Sequence, residues 1–359
     1  MELRETDRML IDAVIRRAEL RCPDALDVIA VYGSVQTGDL WEKSDLDLAI
    51  VINDKSGYVL VEGFLLEDTG IGYDLYCTPW EQLEEMPRYP NPQLSKLMDS
   101  QLVYCRNAEA EARFLALREA CRERLDAPFS EVDFARVQYV LREAEHNFAL
   151  AMTADTFSEA RLHAYGTVQS SMDAVMLAAK SYYRRGVHRV FDELREAGAP
   201  DGFTERVRAV MAAKKLAELR EALTGLLRIM LQFCEQAGAQ FRPERKTPTP
   251  DDLRGTCEEM ISNWAGKMQL AADCGDQWIA FASMSSFQSM LNRELGAAYR
   301  MPDFDVLSGF DAADLPASYR AFTASLETYR EFCESIGLPL NRYPDAAAFV
   351  RAYAGDWSQ

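Results

Sequence analysis

The chain has 359 residues, 48% hydrophobic and 27% charged, and its 57 acidic against 39 basic side chains give a net charge of -18. That length exceeds one ordinary domain and implies two or three, and the apolar content excludes a disordered chain. So strong a negative charge disfavours a protein that grips long nucleic acid, which needs basic surface to displace counterions, and it suits a small cationic partner.

The opening MELRETDRML lacks an apolar signal core, and no run is long and apolar enough to span a bilayer. The expectation is a cytoplasmic protein without a membrane partner. Eight cysteines without a CxxC pair read as reduced structural thiols, and three histidines leave little for a His-based zinc site. A metal here would be a hard cation on carboxylates, which fits magnesium.

Apolar positions Met9, Leu10, Ala13, Val14 and Ala18 fall at helical spacing and predict a helix from about Glu5 to Leu20. Two short β-branched runs follow, VIAVY from Val28 and LAIVI from Leu48, and both read as buried strands. Between them lie Gly33 and Ser34, then ten residues, then Asp45 and Asp47. Strand side chains alternate faces, so two carboxylates two residues apart point the same way. A third strand is predicted over Tyr58 to Leu66 and a fourth over Ile71 to Cys77. Asp74 sits within the fourth, where burial of a lone carboxylate demands a partner such as a metal ion. A short helix is predicted from Pro79, and LSKLMDSQ leads to a closing strand, LVYC.

From Ala108 the pattern becomes helical. Helices are predicted over Glu109–Leu125, Glu131–Ala154, Ser158–Tyr183, Val187–Ala197, Thr204–Ala213 and Leu216–Ala237. Arg242 to Pro250 is Pro-rich and charged, a linker by composition. Beyond it, Asp251-Asp252 caps a helix toward Ala272. Others run over Gln277–Ala298 and Ser318–Ile336, and a last one begins after Pro344. NFALAM from Asn147 and NWAGKM from Asn263 are similar in sequence, as are Ser170–Met172 and Ser285–Phe287.

Gly33-Ser34, ten residues, then Asp45-Leu46-Asp47, with Gly38 between and a strand on each side, resembles the signature of the nucleotidyltransferase superfamily built on the DNA-polymerase-β-like fold. Only 26 residues separate Asp47 from Asp74. That short spacing resembles the minimal branch of antibiotic, aminoglycoside-type nucleotidyltransferases and antitoxin-type enzymes. The resemblance implies an α+β protein: a small catalytic domain of mixed sheet and helices at 1–107 and a helical acceptor-binding bundle at 108–245. A further helical domain at 246–359, read from the Pro-rich linker and the helical pattern beyond it, departs from what the resemblance implies. It implies magnesium-dependent transfer of a nucleoside monophosphate, AMP from ATP, to a hydroxyl of a small acceptor such as an aminoglycoside-like antibiotic, with release of pyrophosphate. Asp45, Asp47 and Asp74 would hold two magnesium ions, and Gly33 and Ser34 the phosphates, with Lys43 as a nearby countercharge. In the aminoglycoside enzymes a glutamate of the helical domain faces the acceptor hydroxyl. Glu145 is the candidate here, since positions 142, 145, 146 and 149 share one helix face. Sites completed by a second subunit occur in that superfamily, so a homodimer is compatible. Two other readings remain open: adenylylation of a protein partner, as by antitoxin-type enzymes, and a nucleotide-binding module without turnover.

Overall fold

The computed structural model describes residues 3–185 and 189–354. The chain divides into two units, Met1–Phe241 and Arg242–Gln359, with the division at the start of the Pro-rich segment. It is an α+β protein: a mixed sheet with helices at the N-terminus, then helices.

The first unit opens with α1 (Glu5–Arg21), β1 (Leu26–Tyr32), α2 (Ser34–Thr37) and β2 (Asp47–Ile52). Next come β3 (Glu62–Leu66), β4 (Ile71–Leu75), β5 (Cys77–Pro79), α3 (Trp80–Glu85), α4 (Ser95–Met98) and β6 (Gln101–Cys105). Four strands form one sheet in the order β5-β2-β1-β6, with β2–β5 parallel and the other two pairs antiparallel. Both faces are covered, which explains why β1 and β2 read as unbroken apolar runs. Ile29, Val31, Leu48 and Ile50 meet Ile11, Val14 and Ala18 of α1. Val28, Ala30, Ala49 and Val51 meet Trp80, Leu83, Leu97 and Phe114 on the other side.

Two strand expectations change. The start of the predicted third strand, Tyr58 to Leu60, belongs to a 3-10 turn over Lys55–Leu60, and only Glu62–Leu66 is extended. The predicted fourth strand breaks after Leu75. Its first part pairs with β3 in a separate two-stranded sheet, and its end, β5, joins β2.

Where the sheet ends farthest from Asp47, buried Asp27 ties three elements together. Its carboxylate accepts from Trp80 Nε1 at 2.8 Å and Asn53 Nδ2 at 3.1 Å, and pairs with Arg106 Nε at 2.9 Å. Removing Asp27 leaves the buried Trp80 Nε1 without its acceptor, while the partly exposed Arg106 can turn to solvent. Asp27→Ala is therefore expected to destabilise the first unit by about 1–3 kcal/mol, read as a shift in the urea midpoint.

The remaining helices of this unit are α5 (Ala108–Asp126), α6 (Glu131–Thr153), α7 (Phe157–Ala178), α8 (Val190–Glu196), α9 (Phe203–Ala212) and α10 (Leu216–Ala237). Side-chain caps start three of them: Asn107 accepts from Ala110 N, Ser130 from Asp133 N and Thr156 from Glu159 N. α7 stops five residues earlier than its periodicity suggests. Lys180 takes a positive φ of 50°, and its ammonium donates to Ala127 O at 2.6 Å. The released tyrosines bond instead of continuing the helix: Tyr182 OH donates to Asp99 Oδ1 at 2.9 Å and Tyr183 OH to Asp173 Oδ1 at 3.0 Å. Of the helix predicted from Val187, Val187 and His188 lie outside the described residues.

The second unit is helical around an aromatic core in which Phe287 packs against Phe322 and Tyr329. The single helix expected from Asp251 toward Ala272 is interrupted. Thr249 caps α11 (Pro250–Leu253), and Gly255 at φ 82° resets the chain into α12 (Thr256–Glu259). A π-helical turn, Met260–Ala265, then leads into α13 (Gly266–Cys274). A second π turn, Met290–Leu295, joins α14 (Gln277–Ser289) to α15 (Gly296–Ala298). α16 (Leu315–Ser335) and α17 (Ala346–Ala354) complete the unit. No helix among the described residues is long and apolar enough to cross a membrane.

Candidate active site

The junction of β1 and α2 is shaped by Gly33. Its φ of 74° and ψ of -150° lie where only glycine is at ease. A Cβ built there would stand 1.9 Å from Asp47 Oδ2, so the Asp47 carboxylate rests directly against the glycine backbone. Tyr32, last in β1, is the register partner of Asp47, first in β2. The loop between α2 and β2 turns on buried Ser44, whose Oγ accepts from Trp41 N at 3.0 Å. Asp39 in the same loop is bridged by Arg189 Nε at 3.3 Å, which ties the loop to the start of α8.

Asp45 and Asp47 are half-buried, and among the described residues neither carboxylate has a hydrogen bond or ion pair. Burial, and then the neighbouring charge of Asp45, pushes the Asp47 carboxyl up to about 6, while Lys96 pulls it down. The same burial and the two aspartates push the Tyr32 phenol up to about 12. Burial lowers the Lys96 ammonium, and Asp47 opposes that. Lys96 of α4 stands 5.8 Å over the Tyr32 ring and donates to Thr78 Oγ1 at 3.4 Å. Lys96 is a basic residue of this site, and the Arg4 guanidinium also feels the charge of Asp45.

The expected residues fall into two groups. Gly33, Ser34, Asp45 and Asp47 are together at the mouth of β1 and β2. Ser34 begins α2, and its hydroxyl makes no hydrogen bond among the described residues. Asp74 forms no metal-holding group with them among the described residues, and Lys43 and Glu145 make no hydrogen bond or ion pair to them. Ile71, Tyr73 and Leu75 fill the inner face of β4, so alternation turns Asp74 outward, exposed and opposite Gly63 of β3. The residue of β4 that feels the charge of Asp45 is buried Tyr73. Lys43 is exposed on the loop, and Glu145 is half-buried on α6. Lys96 escaped notice because LSKLM reads as a short apolar turn. The lysine spaced between Leu94 and Leu97, both buried, was the available signal.

Among the described residues no group of three or more His, Cys, Asp or Glu is placed to hold a metal ion. Two carboxylates without protein partners still fit magnesium, which is commonly bound through one or two carboxylates, with substrate phosphates and water completing its shell. Such binding competes with the proton on Asp47. Divalent-cation affinity at this pair is expected to be flat above pH 6 and to weaken as pH falls through 6. Calorimetric titration of magnesium between pH 5 and 8 checks this, and a flat profile would count against Asp47 as a ligand.

The family model for Polymerase beta, Nucleotidyltransferase matches residues 18–85, the stretch that holds Gly33, Ser34, Asp45 and Asp47. The chain therefore carries a nucleotidyltransferase domain of the polymerase-β superfamily. Among solved structures it is similar to a nucleotidyltransferase-like protein from Exiguobacterium sibiricum 255-15, at 14% identity and a TM-score of 0.35, over 65% of this chain and 78% of that one. No curated protein matches the chain.

Proposed function

We propose that the chain transfers a nucleoside monophosphate, AMP from ATP, to a hydroxyl of a small acceptor in a magnesium-dependent reaction. The observation that carries this reading is the Asp45–Asp47 pair. It lacks protein partners, is pressed against the Gly33 backbone, and has Lys96 beside it.

In the reaction an acceptor hydroxyl oxygen bonds to the α-phosphorus and gives up its proton to water, the bond from that phosphorus to the bridging oxygen breaks, and pyrophosphate leaves. Bound magnesium would supply charge neutralisation for the phosphates. The chain supplies the rest. Asp45 and Asp47 would hold the cation, and Lys96 would face the triphosphate as a fixed positive charge. Ser34 would donate its free hydroxyl to a phosphate oxygen. The absence of a Cβ at Gly33 lets Asp47 and the phosphates share one small space. A small acceptor would be received by a cavity of the same unit that is lined in part by Ser95, the chain neighbour of Lys96.

Purified protein incubated with ATP, magnesium and a panel of hydroxylated small molecules is expected to release pyrophosphate. It is also expected to bind a non-hydrolysable ATP analogue only when magnesium is present. Failure of both would end this reading.

A further inference from the structure

A cavity of about 650 Å³ lies where the helices meet the end of α4, a volume that suits a drug-sized molecule. One side is a single face of α7: Arg161, Ala164, Tyr165, Val168, Gln169 and Met172 recur at helical spacing. Val207, Val210 and Met211 of α9 and Leu219 of α10 form a second side, and Val190 and Phe191 of α8 a third. Gln93 and Ser95 close the end toward the nucleotidyltransferase domain.

We infer that this cavity binds a hydroxyl-bearing small molecule with an apolar body and at most one net charge, and that it rejects polycations. The wall is mostly apolar, and its charges are of the wrong kind and number for several ammonium groups. Glu193 is its one carboxylate among the described residues. Its Oε1 already accepts the backbone N–H groups of Arg184 at 2.8 Å and Arg185 at 3.0 Å, and Oε2 is sealed from solvent. Two arginines share the wall. Arg161 stacks on Phe157 at 4.4 Å and donates to Ala213 O, and the exposed Arg185 stands at the opening. A polycation entering here would meet more positive than negative charge, although the chain as a whole is strongly acidic.

Hydroxyl recognition has its own equipment. Tyr165 OH donates to Gln169 Oε1 at 3.4 Å, and Gln169 Nε2 donates to Asp173 Oδ1 at 3.2 Å. Tyr165 and Gln169 thus form an oriented polar strip along an otherwise apolar face. At the other end, Ser95 lines the cavity while Lys96 reaches Thr78 and the Tyr32 ring, where it feels the charge of Asp47. Consecutive helical residues diverge by about 100°, so the cavity and the carboxylate pair are neighbours around α4. Binding of the molecule is independent of the proposed reaction, but its role as acceptor rests on that reaction.

The test uses the full chain and two probes, n-octyl glucoside below its micellar concentration and the polycation neomycin. Saturable binding of octyl glucoside is expected by saturation-transfer NMR, with neomycin weaker. Val168→Phe and Met211→Trp, which fill the cavity, are expected to weaken the glucoside by about tenfold or more. Both should leave magnesium-dependent ATP binding unchanged. Met211 is exposed, so its replacement keeps the test valid if Val168→Phe misfolds. No saturable glucoside binding, equal binding in the variants, or tighter neomycin binding would overturn the inference. Glucoside binding without any ATP binding would leave it standing and sink the nucleotidyl-transfer reading instead.

Discussion

Asp47→Asn is expected to raise the melting temperature of the first unit and to lower its transfer activity sharply. The stability gain follows from the carboxyl held near 6, above its ordinary value of 3.8. A raised carboxylate pKa means that the folded state disfavours the charge. Stability attached to this group is full below pH 4 and declines as pH rises through 6, beyond which the penalty is constant. Asparagine removes the penalty, on the order of 1–3 kcal/mol at neutral pH after allowing for partial exposure. In a unit of this size that corresponds to about 2–4 °C per kcal/mol. The gain should be largest above pH 6 and vanish near pH 4, as calorimetric scans across that range will read.

Activity should move the other way, by on the order of 10²–10³-fold, because a neutral amide cannot hold a cation against phosphate charge. Asp45→Asn should lose activity similarly. Asp74→Asn is the control that separates motif from geometry. Exposed on β4 and outside the pair, it should cost less than about tenfold, well short of what loss of a transition-state contact brings. An Asp74→Asn loss as deep as that of Asp47→Asn would show that β4 rearranges to bring a third carboxylate into play.

What was legible in the sequence is what is local in the chain. Gly33, Ser34, Asp45 and Asp47 lie within one hairpin, where spacing alone fixes their relation, and the structure gathers them. Lys96 reaches the same point from a turn almost 50 residues after Asp47, and nothing in LSKLM says which face of the sheet that turn will cover. Asp74 shows the opposite failure. Its apolar neighbours suggested burial, but a two-stranded sheet has an open face, and alternation put the carboxylate there. Helix ends were similarly hidden. Periodicity carries α7 on to Tyr183, yet Tyr182 and Tyr183 gain more by reaching Asp99 and Asp173 than by extending the helix. The π turns of the second unit each insert a residue between helical stretches, too small a shift in periodicity for a short sequence window to register.

Gly33→Ala should be strongly damaging to both stability and rate. Two independent effects combine at this position. The backbone at φ 74°, ψ -150° is closed to alanine, with a strain of about 1–3 kcal/mol. The added carbon would also stand 1.9 Å from Asp47 Oδ2, so either the carboxylate or the β1–α2 turn has to move. Displacement of a reacting group by about 1 Å costs on the order of 10²-fold in rate, and a loss at least that large is expected. Gly38→Ala separates the two effects. Gly38 has the same φ of 74° but ψ near 13°, and a Cβ there would meet nothing within 4 Å. It should lower stability by about 1–2 kcal/mol with little change in rate. Melting temperature and pyrophosphate release measured for both variants decide the matter. Equal activity in the two would mean that the contact between Gly33 and Asp47 does not set the geometry of the site.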